Sequence, residues 1–155
     1  EWLLGKTEWR QLITFCGTSY ILAGALGASV LAATWPPFLI KFPMASAEQQ
    51  DTIKLLFESF SLMVGNGIWN LFDTLVCGVW MVGIGRYIKR EMPILGWFTI
   101  AVGCISFTDG IGNILEIKVV ADIAVNLYLI LAPVWAIAIG LAIIKKKFNL
   151  HQNKI

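Results

Sequence analysis

Charge is scarce along this chain. Asp, Glu, Lys and Arg together make up 14% of its 155 residues, against about a quarter in a soluble domain. The net charge is only +2, and the basic residues flank apolar runs instead of forming a patch of their own, so no nucleic-acid partner is expected. Cysteine is equally sparse. Cys16, Cys77 and Cys104 stand singly in three different apolar runs, without the CxxC or Cys/His spacing of a zinc or thioredoxin-like site. They read as small core hydrophobes. The one histidine, His151, lies in the polar tail, which argues against a haem held by two histidines in the membrane. No cofactor and no metal are expected. A basic start followed by a short apolar stretch and a small-residue cleavage site is also missing, so no signal peptide is read. Because the chain opens on Glu1 and not on Met, an upstream segment, missing or cleaved, is expected.

What the chain has in quantity is apolar residues, 57% of the total. Four runs approach or exceed the roughly 20 residues that cross a bilayer. The expectation is an all-α polytopic membrane protein, a single integral membrane domain over 1–155. Residues 1–10, with Trp2, Trp9, Lys6 and Arg10, read as a short interfacial lead-in. Span one covers about 11–34, with Gly24, Ala28 and Ala32 as a small-residue ridge for close helix approach. Trp35-Pro36-Pro37 is expected to end it. Residues 35–58 form an extracytoplasmic loop whose Phe38–Met44 part lies on the surface. Within that loop Ser46 and Gln49 make a capping box, starting a helix with Ile53, Leu56, Phe57 and Phe60 on its apolar face.

Span two covers about 59–87. From a start near Ala47 that helix would be about 41 residues, roughly 60 Å, so it projects into water or bends near Gly65 and Gly67. A basic hairpin over 86–93 leads to span three, about 94–116, whose Gly96, Gly103 and Gly110 recur every seven residues as a packing seam. Span four covers about 122–144. Pro133 interrupts it, Lys145–Lys147 stop it as an anchor, and the tail beyond is expected to fray. Trp69, Trp80 and Trp135 read as packing, Trp35 and Trp97 as interfacial anchors. Placing both termini and the 86–93 hairpin on one side puts nine of the 12 basic residues there. The opposite side keeps Lys41, Lys54 and Lys118. The positive-inside rule then predicts a four-helix antiparallel bundle, N-in and C-in, in the plasma (inner) membrane.

Two polar stripes interrupt the apolar runs. Asn66, Asn70 and Asp73 fall within an arc of about 60° if the helix turns 100° per residue. Asp109, Asn113 and Glu116 repeat the spacing, and both stretches read polar, Gly, Ile, any residue, Asn, apolar, apolar, acid. Their place in consecutive spans fits a local polar seam better than an ancestral duplication. Asp122 and Asn126 add polar groups at the start of span four. A charged Asp at a helix centre costs about 2.5–3.5 kcal/mol on insertion scales, so such groups turn inward toward a partner or cavity. Pairing spans two and three about their hairpin sets Asp73 near Asp109, Asn70 near Asn113 and Asn66 near Glu116. At least one of the two aspartates is then expected to hold a proton at neutral pH, since neighbouring carboxylates do not both ionise cheaply.

The eight residues Asn66, Asn70, Asp73, Asp109, Asn113, Glu116, Asp122 and Asn126 are the candidate ligand or ion site. The first functional expectation is an intramembrane carboxylate/carboxamide cluster binding an ion, a proton or a small polar ligand, with proton-coupled transport as its extension. The alternative is a non-catalytic accessory subunit of a larger membrane complex, the polar groups acting as interhelical glue. Catalysis is not expected: without a nucleophile–base pair, metal cluster or phosphate loop, Asp73 and Asp109 as acid and base on a lipid is the weakest reading. Partners are the bilayer and either a homo-oligomer or a larger complex. Four short spans with an intramembrane acid resemble small multidrug-type transporters in architecture alone, because the first span here carries no acid.

Overall fold

The computed structural model describes residues 9–152, with side chains as far as Lys145. The lead-in residues 1–8 and the tail beyond 152, with Trp2 and Lys6, lie outside the described residues, as do the side chains of Lys146, Lys147 and His151. Among the described residues every regular element is helical: α1 (Arg10–Lys41), a 3₁₀ turn (Phe42–Met44), α2 (Ala47–Leu62), a π-helix (Met63–Asp73), α3 (Thr74–Glu91), α4 (Pro93–Ile114) and α5 (Lys118–Gln152). Four helical stretches are long and apolar enough to cross a membrane, Arg10–Met44, Ala47–Glu91, Pro93–Ile114 and Lys118–Lys145. Large apolar side chains such as Phe15, Ile21, Leu26, Ile130 and Ile137 lie 62–66% exposed on their outer faces.

Local chemistry sets several boundaries. The capping box forms as expected, with Ser46 N–H donating to Gln49 Oε1 at 3.1 Å. Met92 alone separates α3 from α4, at φ −134° and ψ 81°. The following Pro93 disfavours helix at Met92 and suits the first helical position. The α4 helix ends in a Schellman motif: Ile117 N–H donates to Gly112 O at 2.9 Å and Glu116 N–H to Asn113 O at 3.3 Å. Glu116 sits at φ 57°, a place usually given to Gly or Asn.

Three expectations about helix ends are corrected. Pro36 and Pro37 lie inside α1, which continues to Lys41. Proline's fixed φ fits a helix, and what it withholds is a donor. Aromatic contacts on either side compensate: Trp35 stacks on Phe57 at 5.4 Å, Phe38 meets Phe60 at 6.1 Å, and Trp35 Nε1–H donates to Ser61 Oγ at 3.1 Å. Each ring pair contributes about 0.5–1.5 kcal/mol beyond its burial. Pro133 likewise lies within a continuous α5. Lys145–Lys147 do not stop that helix, whose backbone runs on to Gln152.

Packing follows the glycines. A Cβ on Gly96 would strike the backbone of Lys89, one on Gly103 would lie 2.9 Å from Met81 Cβ, and one on Gly110 would lie 2.6 Å from Thr74 Oγ1. The expected seven-residue seam therefore zips α4 against α3 in hairpin register. Helix α1 pairs along the whole second helical stretch, but through a different face from the one expected. Gly24 has open space where its Cβ would be, and Ala28 and Ala32 are exposed. Instead Gly17 receives the Trp80 ring and Gly27 the Trp69 ring, and Ile13 lies over Gly83. Helix α5 lies on α4, with Ala121 against Gly112 and Trp135 Nε1–H donating to Thr99 Oγ1 at 2.8 Å. No Cα of α1 comes within 8 Å of one in α5 among the described residues. The order across the molecule is thus α1, α3, α4, α5, with only long side chains joining the two ends.

Candidate functional site

The first polar stripe occupies backbone that periodicity did not foresee. Met63–Asp73 is an 11-residue π-helix, a form that is rare beyond a single turn and recurs at functional sites. Bonding from i to i+5 widens each turn, so the stripe drawn at 100° per residue does not hold. Asn66 faces outward, and Asn70 and Asp73 are half-buried. At the return to α-helix, Thr74 Oγ1–H lies 3.1 Å from both Asn70 O and Leu71 O. Ser106 on α4 crosses to donate to Thr74 O at 2.8 Å. Hydroxyls thus meet several backbone acceptors at the junction.

Asp73 closes the π-helix, and its Oδ1 is buried without a hydrogen-bond partner among the described residues. Tyr20 on α1 and Cys77, one turn further along, lie within electrostatic reach of this carboxyl. Those two residues belong to a chain of polar tips: Tyr20 and Tyr128 hydroxyls are 3.0 Å apart, and Tyr128 Oη is 3.1 Å from Cys77 Sγ. Trp80 backs the chain, stacked on Tyr20 at 5.8 Å and edge-on to Trp135 at 5.7 Å. These side chains fill the space between α1 and α5.

Asp109 is in another situation. It is 3% exposed and its Oδ1 accepts Asn113 Nδ2–H at 2.8 Å. The same amide lies 3.0 Å from the Asp109 carbonyl. The two aspartates differ in their hydrogen bonding: Asp109 is answered by Asn113, whereas Asp73 Oδ1 has no partner among the described residues. Glu116 and Asp122 are exposed. Asn126 is exposed too and donates to the Asp122 carbonyl of its own helix at 2.7 Å. Of the eight candidate positions, Asp109 and Asn113 are joined by a side-chain bond, and Asp73 is the one with an unanswered buried atom.

Tyr20, Cys77 and Tyr128 escaped a reading that searched for acids and amides. A signal existed: Tyr20 and Tyr128 are hydroxyl-bearing rings in the middle of apolar runs, and Cys77 follows Asp73 by four residues. Cys16 and Cys77 are buried, Cys104 is exposed, and all three are free thiols. Among the described residues no group of three or more His, Cys, Asp or Glu is placed to hold a metal. No family model, curated protein or solved structure matches the chain.

Proposed function

We propose that this is an integral membrane protein, an antiparallel four-helix bundle with both termini cytoplasmic in the plasma (inner) membrane. In this reading Asp73 is the centre of an intramembrane site for a proton, a small cation or a small polar ligand bearing a donor. The observation that carries it is the buried Asp73 Oδ1 without a partner at the exit of a long π-helix. A buried acceptor left open costs about 1–3 kcal/mol, and native proteins keep few of them without a use. Ionisable groups within membrane spans are costly and mark ion and proton pathways in membrane proteins. Asp109, answered by Asn113, serves as a structural neighbour in this scheme.

The test is infrared difference spectroscopy of the protein in lipid, on acidification and on addition of Na⁺ or a small primary amine. At least one of these perturbations is expected to move a carboxyl band that is absent in Asp73→Asn and kept in Glu116→Gln. If no perturbation moves a band that depends on Asp73, the reading is lost.

One observation favours a second reading, a non-catalytic subunit of a homo-oligomer or larger complex. The Gly24, Ala28, Ala32 ridge is unfilled and faces outward, as a surface for close approach by another helix would. Native mass spectrometry from mild extracts would then show partners at fixed stoichiometry, released by Ala28→Leu but kept by Asp73→Asn. A chain that travels alone in the wild-type extract would dismiss this second reading.

A further inference from the structure

At the hairpin end of the molecule two grooves flank the last turns of α3. One, of about 460 Å³, is lined by Leu12 and Ile13 of α1, Val79 and Val82 of α3, Phe107 of α4 and the side chains of Arg86 and Arg90. The other, of about 530 Å³, lies on the opposite flank and shares Val82, Arg86 and Arg90 while adding Lys89 and Trp97. Both are lined by apolar side chains together with cationic ones. Lys89 Nζ lies 3.8 Å over the Trp97 ring and the Arg90 guanidinium 5.3 Å from the Tyr87 ring, so the cations are held beside the aromatic residues that favour headgroup depth. Glu91 is the one acid between Arg86 and Pro93.

We infer that the first groove is a binding site for an anionic phospholipid, its phosphate between Arg86 and Arg90 and one acyl chain along Leu12, Val79, Val82 and Phe107. Size and charge support this occupant. Arg90 and Val79 are 11 residues apart on one helix, about 16 Å, which is half of the roughly 30 Å hydrocarbon core. The groove therefore runs from headgroup level to mid-membrane, the depth of a single leaflet. Arginine pairs with phosphate through a planar fork of donors, and its methylene stem is suited to lie along apolar surface. Basic pockets between membrane helices take anionic headgroups for the same reasons. The inference rests on the membrane reading and is independent of any ligand at Asp73.

The experiment is native mass spectrometry of the protein released from nanodiscs of equal phosphatidylglycerol and phosphatidylcholine with identical chains. The wild type is expected to retain phosphatidylglycerol preferentially. At about fivefold per arginine, Arg86→Gln with Arg90→Gln lowers that preference about 25-fold. Lys41→Gln with Lys54→Gln removes the same charge at the other end and leaves the preference intact. Equal loss in that control, or full retention in the arginine variant, overturns the site. Excess inorganic phosphate is expected to leave the lipid bound; displacement by it would overturn the lipid assignment in favour of a free phosphate. Should the double variant lose helix content, Arg86→Gln alone carries the test, with about a fivefold fall expected.

Discussion

Gly96→Leu is expected to destabilise the protein by about 3 kcal/mol and to open the α3–α4 hairpin, the upper end of what overpacking costs. The cause lies in what the new side chain would meet. A Cβ at Gly96 runs into Lys89 backbone atoms, and backbone does not rotate away as a flexible side-chain tip would. Met92 is the only residue between the two helices, so there is no slack to let them spread. Gly24→Leu supplies the contrast, because nothing lies within 4 Å of its added Cβ. It should change stability by no more than about 0.5 kcal/mol, as surface changes do. Reversible unfolding in bicelles, followed by the α3–α4 distance between labels, reads both. Equal effects from the two substitutions would refute the packing scheme.

The opposite sign is expected at the polar centre. Asp73→Leu removes a buried oxygen with no partner and should stabilise the fold by about 1–3 kcal/mol, the cost of leaving such a group unsatisfied. The same change abolishes any carboxyl response to protons or cations at that site. Asp109→Leu should behave differently, because it takes the 2.8 Å bond from Asn113 and so destabilises by about 1 kcal/mol. Stability gained with function lost at Asp73, and stability lost at Asp109, would mark the first as a working group and the second as a brace. Destabilisation by Asp73→Leu would mean that its carboxyl has structural work, and would count against the site.

How much of this was legible depended on the range of the forces involved. The Ser46–Gln49 capping box was readable because both partners lie within one turn. The Gly96, Gly103, Gly110 seam was readable because seven residues return to one helix face. The continuation of α1 through Pro36 and Pro37 was not, since the stacks of Trp35 and Phe38 that hold it come from more than 20 residues away. The packing face of α1 was misread because it carries small residues on two sides, and only the bulk of Trp69 and Trp80 selects Gly17 and Gly27. The two polar stripes are the sharpest case. Their sequences share one pattern, yet one winds as a π-helix with Gly67 in open space, and the other stays α-helical with Gly110 pressed on Thr74. Periodicity assumes the winding that it is asked to predict.

The ends of the helical row, α1 and α5, have a consequence for how anything reaches Asp73. Among the described residues their backbones do not pack; the Tyr20–Tyr128 hydroxyl pair joins them directly, and Trp80 of α3 lies between Tyr20 and Trp135. Parting Tyr20 from Tyr128 costs one interhelical bond, about 0.6 kcal/mol on average, whereas parting α3 from α4 undoes a full seam. In a bilayer that side-chain seam would face hydrocarbon, and its opening would be lateral. An occupant that uses it would arrive sideways, already dissolved among acyl chains. Its apparent affinity would then follow its concentration in the membrane, so lengthening an apolar tail should tighten binding even where the tail touches no protein.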